Sequence, residues 1–435
     1  MPDQRKSLFR SAAEIFGSNL GAVVLNAGAH FLLAAALSPA LYGSIVFYLL
    51  LLNFLAMGAM YGFQSVVTHQ LPRLSGQGAG KKINVLINET ALYICIFSIV
   101  LVTAVLTFNA LIYPLPVADS ISILPWFFLA VPCWALMRVF AAINLTRGAT
   151  ISSAFPENAL QAAALISVLA LDLYPGLILT ALHYIIGLSI SSLIGVVWFT
   201  LQMKRRFPEF SWLKPKPNGF LGSYNDLALP FFLFSAFQMA LQRFDLVLIG
   251  LLANPQLLAL YSITLKIAQL ATFPSMATKI ALAPRLSTLF ESKNKTLLKS
   301  TLISTTLLLT GITLAAGIII FLTAPLIFSI LDPLYSGGIG ILAILLLVEL
   351  IVAVFTPIKI AALMGDRQRE LTLIFGVGFA LSTILNLLLI PAYGIYASAF
   401  IRLALFAVLH AGLAYLWFFR PKAANFTKSV EQMPI

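Results

Sequence analysis

Charged residues are scarce in this sequence of 435 residues, and their scarcity indicates the class of protein. Only 10% of the residues are Asp, Glu, Lys or Arg, whereas 60% are hydrophobic. A soluble globular domain carries about 25% charged residues, so the composition excludes a large soluble enzyme and predicts an integral membrane protein. The net charge of +12 does not indicate nucleic acid as a partner, because the basic residues lie in short loops between apolar runs.

Motifs for covalent, nucleotide or metal chemistry are also lacking. The two cysteines, Cys95 and Cys133, lie within apolar runs and encode no disulfide framework. The glycine-rich residues 75–82 have the wrong first and last residues for a Walker A loop. No group of His, Cys and Asp has the spacing of a metal site. We therefore expect a protein that is not an enzyme, with no catalytic residues, no metal site and no cofactor.

Long apolar runs dominate the sequence instead. A bilayer core needs about 20 apolar residues per helix. Twelve runs reach this length, at residues 12–37, 44–69, 86–113, 122–146, 153–174, 177–201, 224–250, 257–282, 300–330, 339–363, 371–391 and 395–419. The predicted fold is an all-α polytopic membrane protein with 12 transmembrane helices in two six-helix bundles of parallel topology, one of the repeat arrangements known in transporters.

The connections between these runs predict the orientation. Most of the 27 lysines and arginines lie in the N-terminus, the even-numbered connections and the C-terminal tail. The odd-numbered connections contain only the acidic Asp119, Asp172 and Asp332. By the positive-inside rule, both termini are cytoplasmic. The predicted domains are an N-terminal bundle (1–203), a basic cytoplasmic linker (204–223), a C-terminal bundle (224–419) and a cytoplasmic tail (420–435).

Ionisable residues inside the spans are the candidate site, since each costs about 3 kcal/mol or more at mid-membrane. The deep cations are Arg138, Arg243, Lys266 and Arg402, and the deep anions are Asp245 and Glu349. Because cations outnumber anions, we expect the four cations to line a wet cavity and bind an anionic substrate. Asp245 and Glu349 are predicted to serve in ion coupling or in charge pairing.

Structural ion pairing is the alternative for these residues, and it stays open. Asp245 and Lys266 share a helical hairpin at depths that differ by only about 6 Å, so they are a possible pair. Asp245 does not face Arg243 along their helix, because an i,i+2 pair lies on different sides. Pairing with both acids would still leave two cations unmatched.

Several motifs resemble one transporter family. They are LSPALYG at residues 37–43, Phe244-Asp245 with Leu260-Tyr261-Ser262 across the seventh and eighth spans, Gly365-Asp366-Arg367, and NLLLIPAYGIYA at residues 386–397. The first is similar to LSPxxYG and the last to NxxLIPxYGxxGA, with Tyr396 where the family prefers glycine. These motifs resemble the polysaccharide flippases of the multidrug/oligosaccharidyl-lipid/polysaccharide exporter superfamily, and the Wzx-type O-antigen flippases most.

The resemblance implies a fold and a function. The polysaccharide flippases have two six-helix bundles around a V-shaped central cavity. By alternating access they move an undecaprenyl-pyrophosphate-linked oligosaccharide from the cytoplasmic to the periplasmic leaflet of the bacterial inner membrane. The implied partners are this lipid-linked oligosaccharide, membrane lipids and other polysaccharide assembly proteins. The predicted cations suit the pyrophosphate, because a guanidinium group binds phosphate in bidentate fashion and stays charged when desolvated.

Other functions are compatible with parts of the sequence. A drug/cation antiporter of the same superfamily is the main alternative, but it needs acidic residues in the cavity, where here the surplus is positive. A lipid II flippase typically has fourteen helices. A membrane glycan polymerase or ligase has a sizeable outer loop, and the predicted outward connections are too short to form one.

Overall fold

The computed structural model describes residues 24–77, 79–111, 120–146, 150–171, 178–207, 224–273, 295–364 and 367–419, with the separate positions 17, 21, 22, 211, 282, 286 and 289. Thirteen helices of more than ten residues lie in these ranges. They are α1 (Val24–Ala36), α2 (Pro39–Met60), α3 (Phe63–Gly76), α4 (Gly80–Leu111), α5 (Phe127–Leu145), α6 (Thr150–Ala170), α7 (Ala181–Arg206), α8 (Asn225–Leu252), α9 (Pro255–Gln269), α10 (Lys295–Ser329), α11 (Ile339–Met364), α12 (Gln368–Tyr393) and α13 (Ile395–Phe419).

These helices confirm the predicted class of fold. Each of the twelve predicted spans overlaps at least one helix, and the second span is divided between α2 and α3. Within the described ranges, nine helices are long and apolar enough to cross a membrane. The other three predicted spans, 12–37, 153–174 and 257–282, each extend into residues outside those ranges. The chain is an all-helical, multi-pass membrane protein.

Two proline corners start their helices in the same way. Ser38 precedes Pro39, and its Oγ accepts a hydrogen bond from the Leu41 amide at 3.4 Å. Asn254 precedes Pro255, and its Oδ1 accepts from the Leu257 amide at 2.8 Å. In each case a short polar side chain caps a helix whose first residue is proline, which lacks the amide that would otherwise need a partner. The corners before α2 and α9 are therefore local repeats of one another.

The chain divides into two compact units. Unit 1 contains residues 1–236 and 254–259, and unit 2 contains residues 237–253 and 260–435. The helix α8 begins in unit 1 and ends in unit 2, so this division does not fall in the predicted linker. Most of that linker (204–223) and the predicted tail (420–435) lie outside the described residues, and the predicted domain boundaries stay a prediction.

Unit 1 is organised around α5, which packs against α7 and also contacts α2, α4 and α6. Trp134, Phe140 and Phe199 are among its fully buried side chains. The buried Asn144 ties α5 to α7, because its Nδ2 donates to the Phe199 carbonyl oxygen at 3.1 Å. A polar side chain buried this deeply needs such a partner, so Asn144 fixes the register of the two helices.

A second polar contact in unit 1 holds Ser211, which precedes α8 in the sequence. Asn88 Nδ2 donates to the Ser211 carbonyl oxygen at 3.0 Å, and Asn84 Nδ2 donates to Ser211 Oγ at 3.1 Å. The Ser211 amide donates back to Asn84 Oδ1 at 3.3 Å. We call these three residues the asparagine clamp. It attaches Ser211 to the first turns of α4 through three hydrogen bonds.

Unit 2 is organised around α11, which packs against α10 and α13, while α12 packs against α13. Two glycines of α12 allow side chains of α13 and α8 to pack closely against it. A Cβ at Gly378 would overlap the Leu409 side chain, and one at Gly376 would lie 3.1 Å from the Phe237 ring. This packing brings polar residues of α8, α9, α11 and α13 into the interior of one unit.

Candidate functional site: a buried charged cluster

Unit 2 contains five of the six predicted site residues. Two lie on α8, and α9, α11 and α13 contribute one each. The five are Arg243, Asp245, Lys266, Glu349 and Arg402, and we call them the charged cluster. Electrostatic interactions connect its members: Arg243 interacts with Arg402, Asp245 and Glu349, and Lys266 interacts with Arg243. Residues up to 159 positions apart in the sequence therefore share one site.

Asp245 is the acceptor at the centre of the cluster. Its Oδ2 accepts hydrogen bonds from Arg402 Nη1 at 2.9 Å and from the Tyr261 hydroxyl at 3.2 Å. Its Oδ1 accepts from the Leu246 amide at 2.9 Å. The side chains of Asp245 and Arg402 are each only 5% exposed. The three hydrogen bonds and the guanidinium replace the water that this buried carboxylate has lost.

Arg402 is held in place by more than this ion pair. Its Nη1 also donates to the Gln242 carbonyl oxygen at 3.0 Å, one turn before Asp245 on α8. Its guanidinium lies 5.2 Å from the centre of the Phe406 ring. Its Nε is buried and has no hydrogen-bond partner among the residues that the structure describes. Arg402 is thus fixed on one edge by protein groups and keeps an unused donor on the other.

Arg243 and Lys266 are less restrained than Arg402. Both are half-buried. Within the described ranges, neither forms an ion pair, in contrast to Arg402. The cluster contains three cations and two carboxylates, so its formal charge is +1. Low-dielectric surroundings strengthen the attraction between such a charge and an anion.

The structure shows which cation pairs with Asp245. Arg402 forms the structural ion pair with Asp245, and Lys266 does not, although Lys266 was the candidate partner by depth. The reason is that Arg402 of α13 reaches α8, where its Nη1 donates to both the Asp245 carboxylate and the Gln242 carbonyl oxygen. Arg402 is therefore neutralised here, and Arg243, Lys266 and Glu349 together leave a formal surplus of one positive charge. Glu349 is buried and interacts electrostatically with both arginines.

Tyr261 belongs to this site and was not among the predicted residues. A signal existed in the sequence: Asp245 lies near the end of the seventh span and Tyr261 near the start of the eighth, so their depths match. Arg138, by contrast, lies on α5 in unit 1 and is half-buried there. It is not part of the charged cluster within unit 2, and its predicted role in substrate binding stays a prediction.

Comparison with known proteins identifies the fold. Residues 230–388 match the MatE family, a segment that includes four members of the charged cluster. The structure is similar to an inward-facing multidrug resistance MATE family transporter of the MOP superfamily, with a TM-score of 0.66 at 13% identity over 96% of this chain and 99% of that chain. The chain has the MATE transporter fold.

Other solved structures agree with this fold. An outward-facing MATE family transporter has a TM-score of 0.60 at 14% identity, covering 97% of both chains. The lipid II flippase MurJ in an inward closed conformation has a TM-score of 0.65 at 16% identity, covering 93% of this chain and 87% of that chain. These proteins are transporters or flippases rather than enzymes. No curated protein sequence matches the chain.

Proposed function

We propose that this protein flips an anionic undecaprenyl-pyrophosphate-linked oligosaccharide across the bacterial inner membrane, from the cytoplasmic to the periplasmic leaflet, by alternating access. The observation that carries the proposal is the surplus of positive charge inside unit 2. Ionisable groups are expensive within a membrane and are retained where they bind a substrate or an ion. Three buried or half-buried cations against two carboxylates favour an anionic substrate.

The cluster offers the pyrophosphate two kinds of group. Arg243 and Lys266 present charge that no carboxylate of the described residues holds by an ion pair, so they can donate to phosphate oxygens. A guanidinium makes two parallel hydrogen bonds to phosphate, whereas an ammonium acts as a compact charge. Arg402, fixed by Asp245, keeps a positive field close to both. In this proposal, Asp245 and Glu349 adjust the charge of the site or bind a coupling ion.

The similarity to MurJ supports a lipid-linked substrate, since that protein is a lipid II flippase with a comparable fold. We extend the proposal to the surroundings of the protein: both termini are cytoplasmic, Arg138 adds a further cation along the substrate path, and the partners include membrane lipids and other polysaccharide assembly proteins. The lipid tail stays in the bilayer while the polar headgroup passes through protein.

A drug/cation antiporter is the second candidate function, and the match to multidrug resistance MATE transporters favours it. The charge of the cluster opposes it. An organic cation needs uncompensated carboxylates, but Asp245 is already neutralised by Arg402 at 2.9 Å. Glu349 alone would then face two further cations in the same cluster.

A reconstituted flipping assay tests the proposal. Proteoliposomes would receive undecaprenyl pyrophosphate linked to a fluorescent oligosaccharide, and transfer between leaflets would be followed by quenching of the outer leaflet. Arg243→Ala and Lys266→Ala should each reduce the flipping rate about tenfold or more, because each removes a charge-assisted hydrogen bond worth about 1.5–3 kcal/mol. The exposed Lys299→Ala, at the first turns of α10, is the matched control and should transport like wild type.

Two results would contradict the proposal. The first is wild-type flipping by both cluster variants at normal protein levels. The second is uptake of an organic cation such as ethidium, with no flipping of the lipid-linked oligosaccharide by the wild-type protein. The second result would establish the antiporter function instead.

A further inference from the structure

A break in a predicted span lies in unit 1, far in sequence from the charged cluster. The second predicted span, 44–69, is divided at Tyr61 and Gly62, both of which have positive φ angles of 42° and 77°. Tyr61 is the one non-glycine residue with a positive φ in the part of the chain that the structure describes. This conformation costs a non-glycine residue about 1–2 kcal/mol, so the surrounding structure must stabilise it.

The neighbouring helix fixes this break. A Cβ on Gly62 would overlap the Ala228 carbonyl oxygen and lie 3.0 Å from the Phe232 amide nitrogen. The backbone of α8 therefore packs directly on the break. Interrupted backbone at membrane depth is tolerated where protein buries it or where it lines a cavity, and discontinuous helices commonly form the substrate sites of transporters.

Aromatic rings from three helices meet the Tyr61 ring at this break. The Tyr61 ring stacks on Phe97 of α4 with centroids 5.5 Å apart and an interplanar angle of 15°, and it contacts Phe232 of α8 at 5.2 Å. It also lies 5.9 Å from Phe63, which contacts Tyr93 at 6.0 Å. We call these five residues the aromatic cluster. Tyr61 thus combines a positive φ angle with ring contacts to three of the other four residues.

Four of the five rings of this cluster differ in burial from the rings of the core, and Phe63 is buried like them. Tyr61, Tyr93, Phe97 and Phe232 are half-buried, whereas the large aromatic side chains of the unit 1 core, such as Trp134 and Phe140, are at most 2% exposed. Across the described residues, the Tyr61 and Tyr93 hydroxyls have no hydrogen-bond partner. The cluster thus combines accessible ring surface with two free hydroxyl groups and contains no charged member.

We propose that the aromatic cluster is a second binding subsite, which holds the uncharged sugar rings of the oligosaccharide. This inference rests on the proposed function, and it assigns the glycan and the pyrophosphate to different residues. The apolar face of a pyranose ring packs against an aromatic ring, and phenol hydroxyls exchange hydrogen bonds with sugar hydroxyls. Specific sites combine such apolar surface with a few placed polar groups. An isoprenoid tail is a hydrocarbon and cannot form hydrogen bonds with the two hydroxyls.

A binding comparison with two ligands separates the subsites. Purified protein in nanodiscs would be titrated with undecaprenyl pyrophosphate and with the same lipid carrying trisaccharides of hexoses or N-acetylhexosamines. We expect wild type to bind at least one glycan-bearing lipid about tenfold more tightly than the bare lipid. Tyr61→Leu and Phe97→Leu should lose most of this tenfold difference while keeping wild-type affinity for the bare lipid, since each removes an aromatic face on which a sugar ring packs.

Control variants show that the loss is specific. Tyr61→Phe keeps the ring and removes one hydroxyl, so its affinity for the glycan-bearing lipid should be intermediate. Phe108→Leu changes a 46% exposed ring on the same helix as Phe97 and should behave as wild type. If Tyr61→Leu fails to fold, as judged by size-exclusion chromatography, Phe97→Leu still provides the test.

The possible failures can be distinguished. Equal affinity of wild type for the bare and glycan-bearing lipids overturns the subsite but leaves the flippase proposal in place. Retention of the glycan preference by Phe97→Leu also overturns it. Loss of ethidium binding without loss of glycan preference would assign the rings to a planar drug instead. Failure of wild type to bind either lipid overturns the proposed function as well as this inference.

Discussion

Removing the carboxylate of Asp245 should destabilise unit 2 more than removing both members of its ion pair. Asp245→Leu leaves the Arg402 guanidinium 5% exposed, with the Gln242 carbonyl at 3.0 Å as a remaining acceptor. Removing one partner of a buried ion pair costs about 3–5 kcal/mol, whereas replacing both partners by apolar residues is often nearly neutral. The Tyr261 hydroxyl also loses its acceptor, which costs about 1–3 kcal/mol in either variant.

The Tyr261 cost is common to both variants and cancels, so the double variant with Asp245→Leu and Arg402→Met should be more stable than Asp245→Leu alone by about 3–5 kcal/mol. Free energies of unfolding would be measured by SDS titration in lipid–detergent micelles, for wild type, both single variants and the double variant. A double variant as unstable as the single variant would refute the reasoning. A loss of stability below about 1 kcal/mol for Asp245→Leu would also refute it, because a buried guanidinium without its carboxylate costs more free energy than that.

This experiment also bears on the proposed function. If Arg402 is held by Asp245 for structure, then the double variant should retain a positive site made by Arg243 and Lys266. We expect it to bind inorganic pyrophosphate with at most a few-fold loss of affinity. The ion pair and the anion site would then be separate roles within one cluster.

Two further variants test the packing of unit 1, each compared with a control variant that lacks the contact. Gly43→Ala should cost about 1–3 kcal/mol of stability, because a Cβ there overlaps the Pro255 carbonyl oxygen. Gly28→Ala, where a Cβ meets open space, should be neutral in the same thermal unfolding assay. Asn88→Ala removes one hydrogen bond of the asparagine clamp and should cost about 1–3 kcal/mol of stability. Its control, Thr107→Ala, removes an exposed hydrogen bond on the same helix. Equal melting temperatures for these two variants would contradict a stabilising role of the clamp.

The membrane class and the positions of the spans could be predicted because they depend on local composition. A run of about 20 apolar residues specifies a membrane helix wherever it packs, so each predicted span overlaps a helix. The interruption at Tyr61 and Gly62 could not be predicted from the hydrophobic pattern, which continues through both residues. It depends on the backbone of α8 against Gly62, a contact across more than 160 positions of sequence.

The deep ionisable residues could also be found from the sequence, because a charged residue stands out within an apolar run. Their interaction partners could not be predicted from the sequence. Asp245 and Lys266 share a hairpin and similar depths, yet Arg402 takes the carboxylate and Tyr261 adds a second donor. Depth along the membrane constrains one coordinate only, and the choice of partner depends on which helix lies beside α8 and on the direction of its side chains.

The sequence by itself thus determined that this is a multi-pass helical membrane protein with an excess of buried positive charge, because hydrophobic length and the cost of burying charge are local properties. The tertiary structure alone decided which cation pairs with Asp245 and which rings meet at the break. These depend on contacts between helices far apart in the chain, where a hydrogen bond forms or fails within a few tenths of an ångström.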